Sequence, residues 1–168
     1  MKRLLIFLVV AFLFYGCGPK EVKIVDPVNF YYCNKTISYS SPEAVISYEI
    51  REANGLRNSW IALLDFYLRG PSADHLYSPF PESVTVKAFT ISNGQCTVTL
   101  SNEFSSLTGI DLTLACSCLS RTIMELTGVK NIEIKFTDPV TGKFSSVTMD
   151  ENSILLHGSS LETIPVQE

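Results

Sequence analysis

The chain has no run of basic residues, only 2 histidines and 1 tryptophan, and no Cys-x-x-Cys or His-x-x-x-His spacing. Each absence removes a class of function. Nucleic-acid binding rests on Lys and Arg clustered against phosphates. Here 13 basic residues face 17 acidic ones, for a net charge of −4. A zinc centre needs three or four ligands at recognisable spacing, which the lone His75 and His157 do not supply. No glycine-rich phosphate loop, internal repeat or coiled-coil heptad is present. Paired-carboxylate hydrolysis needs two acids converging on one cleft. The acids Asp65, Glu103, Asp111, Glu125, Glu133, Asp138 and Asp150 are scattered over helices, strands and turns, and no pair stands out. A Cys–His nucleophilic pair stays open, because its members can be distant in the chain; only the presence of both residue types speaks for it. A composition of 46% hydrophobic and 18% charged residues excludes a disordered chain.

What is present begins with an export signal. Met1-Lys2-Arg3 is a positive n-region, and Leu4 to Tyr15 is an uncharged apolar run of 12 residues. Spanning a bilayer takes roughly 20, so the run suits a signal peptide over residues 1–16. Gly16-Cys17 directly after it resembles a bacterial lipobox, in which Cys17 receives a diacylglyceryl thioether and becomes the new N-terminus. Phe14 and Tyr15 occupy slots where that pattern prefers Leu and a small residue. Ordinary cleavage near Gly16, with Cys17 unmodified, is the alternative. Residues 17–27 read as a polar tether. Loss of Lys2 and Arg3 takes the basic count from 13 to 11 against 17 acids, a mature charge of about −6. The 152 residues from Cys17 onward suffice for one domain and are too few for two of full size.

Within residues 28–150, Val28 to Cys33 is an aromatic-rich strand candidate. A second covers Ala44 to Glu52, where Val45, Ser47, Glu49 and Arg51 alternate with Ile46, Tyr48 and Ile50. A helix from about Ser59 to Arg69, stopped by Gly70-Pro71, carries Trp60, Ile61, Leu63, Leu64, Tyr67 and Leu68 as its apolar stripe. Residues 71–82 form a loop with three prolines. Ser83 to Ile91 and Gln95 to Leu100 then pair around Asn93-Gly94, so that Ile91 faces Cys96 and Phe89 faces Val98. Val84 and Val86 have the other parity, which predicts a bulge near Ala88-Phe89. A long helix follows from about Ile110 to Thr127, closed by Gly128, with Leu112, Ala115, Cys116, Leu119, Ile123 and Leu126 on one face. Asn131 to Thr137 and Lys143 to Thr148 make a last hairpin, and residues 151–168 a final strand or tail. The order ββ-α-ββ-α-ββ predicts a single α+β domain with two helices packed on one mixed, mostly antiparallel sheet.

Beyond Cys17 there are four cysteines, Cys33, Cys96, Cys116 and Cys118. Four thiols in an exported protein invite a disulfide reading. Cys116 and Cys118 sit about 200° apart around a helix, so they neither bond to each other nor chelate one metal. A bridge from Cys96 to Cys116 or Cys118 is one alternative; buried free thiols packing as small hydrophobes is the expectation.

The order of these motifs resembles the GerMN domain of bacterial sporulation and spore-germination lipoproteins. The matching stretches are Leu63-Leu64-Asp65-Phe66-Tyr67-Leu68-Arg69-Gly70-Pro71, Tyr77-Ser78-Pro79-Phe80-Pro81-Glu82, Val98-Thr99-Leu100-Ser101-Asn102-Glu103-Phe104 and Gly128-Val129-Lys130-Asn131-Ile132. Departures are the extra strand before the first helix, the four cysteines, and one domain copy rather than two. The resemblance implies a fold like ring-building modules and a non-enzymatic scaffold or adaptor linked to sporulation or germination. It would sit on the outer face of the bacterial cytoplasmic membrane, with no cofactor beyond the lipid on Cys17. Its partners would be the membrane, envelope proteins and further copies of itself. Two other readings stay open. One is a cell-wall or small-ligand binder using His75, Tyr77 and Phe80 of the proline loop, aromatics that otherwise close the core. The other is a thiol-redox enzyme using Cys96, Cys116 or Cys118.

Overall fold

The structure is a computed structural model that describes residues 24–36 and 45–154. The segment expected to be a signal peptide, Cys17, most of the expected tether and the tail beyond Ile154 lie outside the described residues.

Strand β1 (Pro27–Asn34) pairs antiparallel with β2 (Ile46–Glu52) and, at its far end, with the two-residue β3 (Leu76–Tyr77). Between β2 and β3 lies helix α1 (Trp60–Leu68), capped where Ser59 Oγ accepts from the Ala62 amide at 3.3 Å. A second sheet holds β4 (Val86–Ser92), β5 (Gln95–Leu100), β6 (Asn131–Thr137) and β7 (Phe144–Asp150) in that order. Its β5–β6 pair is parallel and is bridged by helix α2 (Gly109–Thr127). A parallel pair needs a long crossover of this kind.

The local expectations hold where turn chemistry dictates them. Asn93 and Gly94 take φ of 51° and 76°, the two positive values that a two-residue hairpin of matching twist requires. The register places Ile91 opposite Cys96 and Phe89 opposite Val98, with a bulge between Val86 and Ala88 that returns Val84 and Val86 to the core. Gly128 closes α2 at φ 73°, its amide donating to the Met124 carbonyl at 2.8 Å.

The α+β class is as expected, but the strands form two sheets rather than one. The cause is the middle of α2, where every residue from Leu114 to Ser120 is buried. A helix apolar all round needs cover on both sides. Here β1 covers one side and β6 and β7 another. That sandwich also buries Cys116 and Cys118 together, although they point in nearly opposite directions.

Strand β1 is enclosed on both faces. Phe30 and Tyr32 meet α1, with ring centroids 5.3 Å and 4.9 Å from Tyr67. Tyr31 and Cys33 meet α2, where the Tyr31 amide donates to Thr122 Oγ1 at 3.0 Å. The buried hydroxyls find acceptors, Tyr32 on the Tyr67 carbonyl at 2.6 Å and Tyr67 on the Tyr31 carbonyl at 2.7 Å. Buried tyrosine needs such a partner.

Candidate functional site

The proline loop is held to the first sheet at both ends of its first half. The Lys35 amide donates to the His75 carbonyl at 2.9 Å, and β3 pairs Tyr77 with Cys33. On the other side, Glu49 of β2 accepts from the Ser72 amide at 2.9 Å and the Ala73 amide at 2.9 Å. Arg51 fixes that carboxylate at 3.3 Å and donates to the Gly70 carbonyl at 3.0 Å. Its guanidinium lies 4.0 Å from the centre of the Phe66 ring. Glu49 and Arg51 side chains are 9% and 15% exposed, so this pair is a largely covered clamp on the loop.

The alternation in β2 is therefore inverted relative to hydropathy. The charged set faces α1 and the loop, while Tyr48 and Ile50 are 45% and 49% exposed. Sequence reading did not single out Glu49 and Arg51. The one local signal was their shared parity beside an aromatic-rich helix.

Of the three loop residues expected at a contact surface, His75 is exposed and Tyr77 is 38% exposed. Phe80 is buried, packed edge-on against Tyr67 at 5.3 Å, and so closes the core instead. Burial, reinforced by Cys33, pushes the Tyr77 hydroxyl up to about 12. Two open clefts of about 260 and 350 Å³ lie elsewhere, one beside Arg121 and Lys130 and one beside Lys87 and Glu103.

The acids are occupied with the chain's own donors. Asp65 accepts from the Val86 amide at 2.8 Å, tying α1 to β4. Glu125 accepts from the Tyr31 hydroxyl and the Asn29 amide group. Glu133 pairs with Lys135 at 3.1 Å. Asp138 is held below its usual range by the Val140 amide, the Thr141 hydroxyl and the Thr141 amide. Asp150 is held down similarly by Ser153. Among the described residues no three His, Cys, Asp or Glu side chains gather as a metal site, and no helix is long and apolar enough to cross a membrane.

All four described cysteines are free and buried. Burial pushes Cys96 and Cys116 each up to about 12, and raises Cys118 as well. Cys33 and Cys118 lie side by side, with sulfurs 3.7 Å apart. The bridge considered from sequence, Cys96 to a helix cysteine, is not formed.

Comparison with known proteins places this geometry. The first GerMN domain of the sporulation protein GerM from Bacillus subtilis superposes with a TM-score of 0.57 at 13% identity, over 76% of this chain and 99% of that one. The tandem GerMN domains of the same protein superpose with a TM-score of 0.51 at 18% identity, over 71% of this chain and 42% of theirs. This chain thus spans less than half of the tandem protein. No curated protein sequence matches the chain. The family model described as Germane, sporulation and spore germination, matches residues 29–138. That stretch is more than half of the sequence, and the chain belongs to the Germane family.

Proposed function

We propose that the chain is a lipid-anchored, extracytoplasmic scaffold or adaptor that positions an envelope assembly linked to sporulation or germination, without bond-making chemistry of its own. The observation that carries this reading is the use of the reactive side chains. The carboxylates of Glu49, Asp65, Glu125, Asp138 and Asp150 are engaged by the chain's own donors, and the thiols are buried. A catalytic thiol must reach solvent and ionise readily. What the fold offers outward is a braced surface, the His75–Tyr77 side of the clamped loop. The family and the GerM likeness support the sporulation link.

The test is in-cell crosslinking of the tagged, membrane-anchored protein. A ladder of self-adducts or one dominant envelope partner is expected. Good expression in the membrane fraction with no protein adduct overturns the scaffold reading and favours the cell-wall or small-ligand binder.

The anchor has its own test. Cys17→Ala removes the acceptor of two acyl chains, whose burial holds a protein on a bilayer far more firmly than one. The variant is expected to leave the detergent phase or to accumulate as slower-migrating precursor. A mature-sized band that still partitions into detergent would refute lipidation at Cys17.

A further inference from the structure

Cys33 ends the core portion of β1, and Cys118 sits in the middle of α2, 85 residues later. Their sulfurs face each other at 3.7 Å in the layer between strand and helix. A disulfide requires about 2.05 Å, so closure needs a movement of about 1.7 Å, within reach of side-chain rotation. Cys96 and Cys116 have no such neighbour among the described residues. We propose that Cys33 and Cys118 are joined as a disulfide in the mature protein, cross-linking β1 to α2. The proposal rests on the export reading above, because an oxidising compartment is where such a bond persists.

The surroundings favour an ordered exchange. The hydrogen bond from Cys118 holds the Cys33 thiol down, while burial pushes Cys118 up, so Cys33 ionises first. Tyr77, hydrogen-bonded to Cys33 and partly exposed, lies over it. Cys33 is itself fully buried, so exchange requires β3, which pairs Tyr77 with Cys33, to be undocked. The oxidant is the disulfide of an extracytoplasmic thiol oxidoreductase. The Cys33 thiolate attacks one sulfur of that disulfide; the donor bond breaks, and its other sulfur leaves as a thiolate that takes up a proton. Cys118 attacks Cys33 Sγ, its proton passing to the departing second donor sulfur. The mixed disulfide breaks, and the second donor sulfur leaves and is protonated. Two thiols give up two electrons and two protons, and the donor disulfide becomes a dithiol.

The bond closes a loop of 85 residues, long enough for a large effect on the unfolded chain. The experiment has two arms on the full chain. Reduced, unfolded protein is refolded in a glutathione redox buffer, and cells are separately acid-quenched and fractionated. In both, free thiols are alkylated under denaturing conditions before peptide mapping. One cross-linked peptide pair is expected, containing Cys33 and Cys118, with Cys96 and Cys116 alkylated. Reductant should lower the melting temperature by on the order of 10 °C. The Cys33→Ala/Cys118→Ala variant should not respond to reductant. A bridge to Cys96 or Cys116, or alkylation of both Cys33 and Cys118 after refolding, overturns the geometry. A membrane-bound chain with four free thiols in cells overturns the proposal while the export reading stands. An unprocessed cytoplasmic chain, reduced in cells but bridged on refolding, overturns export and with it the disulfide of the mature protein.

Discussion

Arg51→Ala is expected to destabilise the fold by about 3 kcal/mol, the lower end of the range for removing one member of a buried ion pair, because this pair is partly exposed. The Glu49 carboxylate is only 9% exposed and would be left with the Ser72 and Ala73 amides as donors and no cation. The substitution also strips the guanidinium from the Phe66 face and leaves the Gly70 carbonyl without its donor. Such stacking contributes about 0.5–2 kcal/mol. Urea unfolding should show the midpoint falling by more than 1 M, taking a slope of about 1–3 kcal/mol per M. Because Glu49 holds the loop through Ser72 and Ala73, those two amides should exchange faster than the core strands. Adding Glu49→Gln to Arg51→Ala removes the stranded charge, so the double variant should lose less than the two single losses combined. Arg51→Lys keeps the charge but not the planar stack, and should fall between. If Arg51→Ala stays within 0.5 kcal/mol of the parent, as a surface pair would, the clamp is not holding the loop.

The sequence made some of this legible and hid the rest for identifiable reasons. Asn93-Gly94 and Gly128 impose backbone angles that few other residues tolerate, so the hairpin register and the end of α2 could be read locally. The strand β2 was readable as a strand, but period two names two faces and not which one is covered. That is decided by Phe66 on α1, which stacks on Arg51 and leaves Tyr48 and Ile50 outward. The division into two sheets was hidden for a related reason. The Leu112–Leu126 stripe fits a helix on one sheet, whereas the burial of Ser117, Cys118 and Thr122 reflects a second cover from β1. For Phe80 the sequence left a contact residue and a core-closing one both open, and Tyr67 offers it an edge-on partner in the core. The Cys33–Cys118 contact spans 85 residues, and no spacing rule reaches that far. Motif order nonetheless identified the family, because helix stops, prolines and hairpin turns are local backbone signals that can be read without knowing the side-chain contacts.

Raising the pH from 9 towards 12 is expected to unfold the protein, in large part through two buried thiols. Burial pushes Cys96 and Cys116 from 9.0 up to about 12. The folded core holds each as neutral thiol, while the unfolded chain releases its protons above pH 9. In that window the unfolded state binds fewer protons, so stability falls as pH rises. The contribution is fully present below pH 9 and gone once the pH passes the folded value. Two groups give a slope of at most about 2.7 kcal/mol per pH unit, since one unit corresponds to 1.36 kcal/mol per group. A fall of several kcal/mol is comparable with the whole stability of a small domain, about 5–15 kcal/mol. The tyrosines Tyr32 and Tyr67, also raised by burial, add to the loss mainly above their ordinary 10.0. The interval from pH 9 to 10 is therefore weighted towards the thiols, Cys118 included. Stability measured by urea unfolding at fixed ionic strength should decline across it in the parent protein. In Cys96→Ala/Cys116→Ala the decline should be shallower across the same interval, the remainder coming from Cys118, which burial also raises, whatever the variant loses at neutral pH from the missing sulfurs. An equal decline in both proteins would show that the two thiols do not stay protonated in the core, and that water reaches α2 from the side of the second sheet.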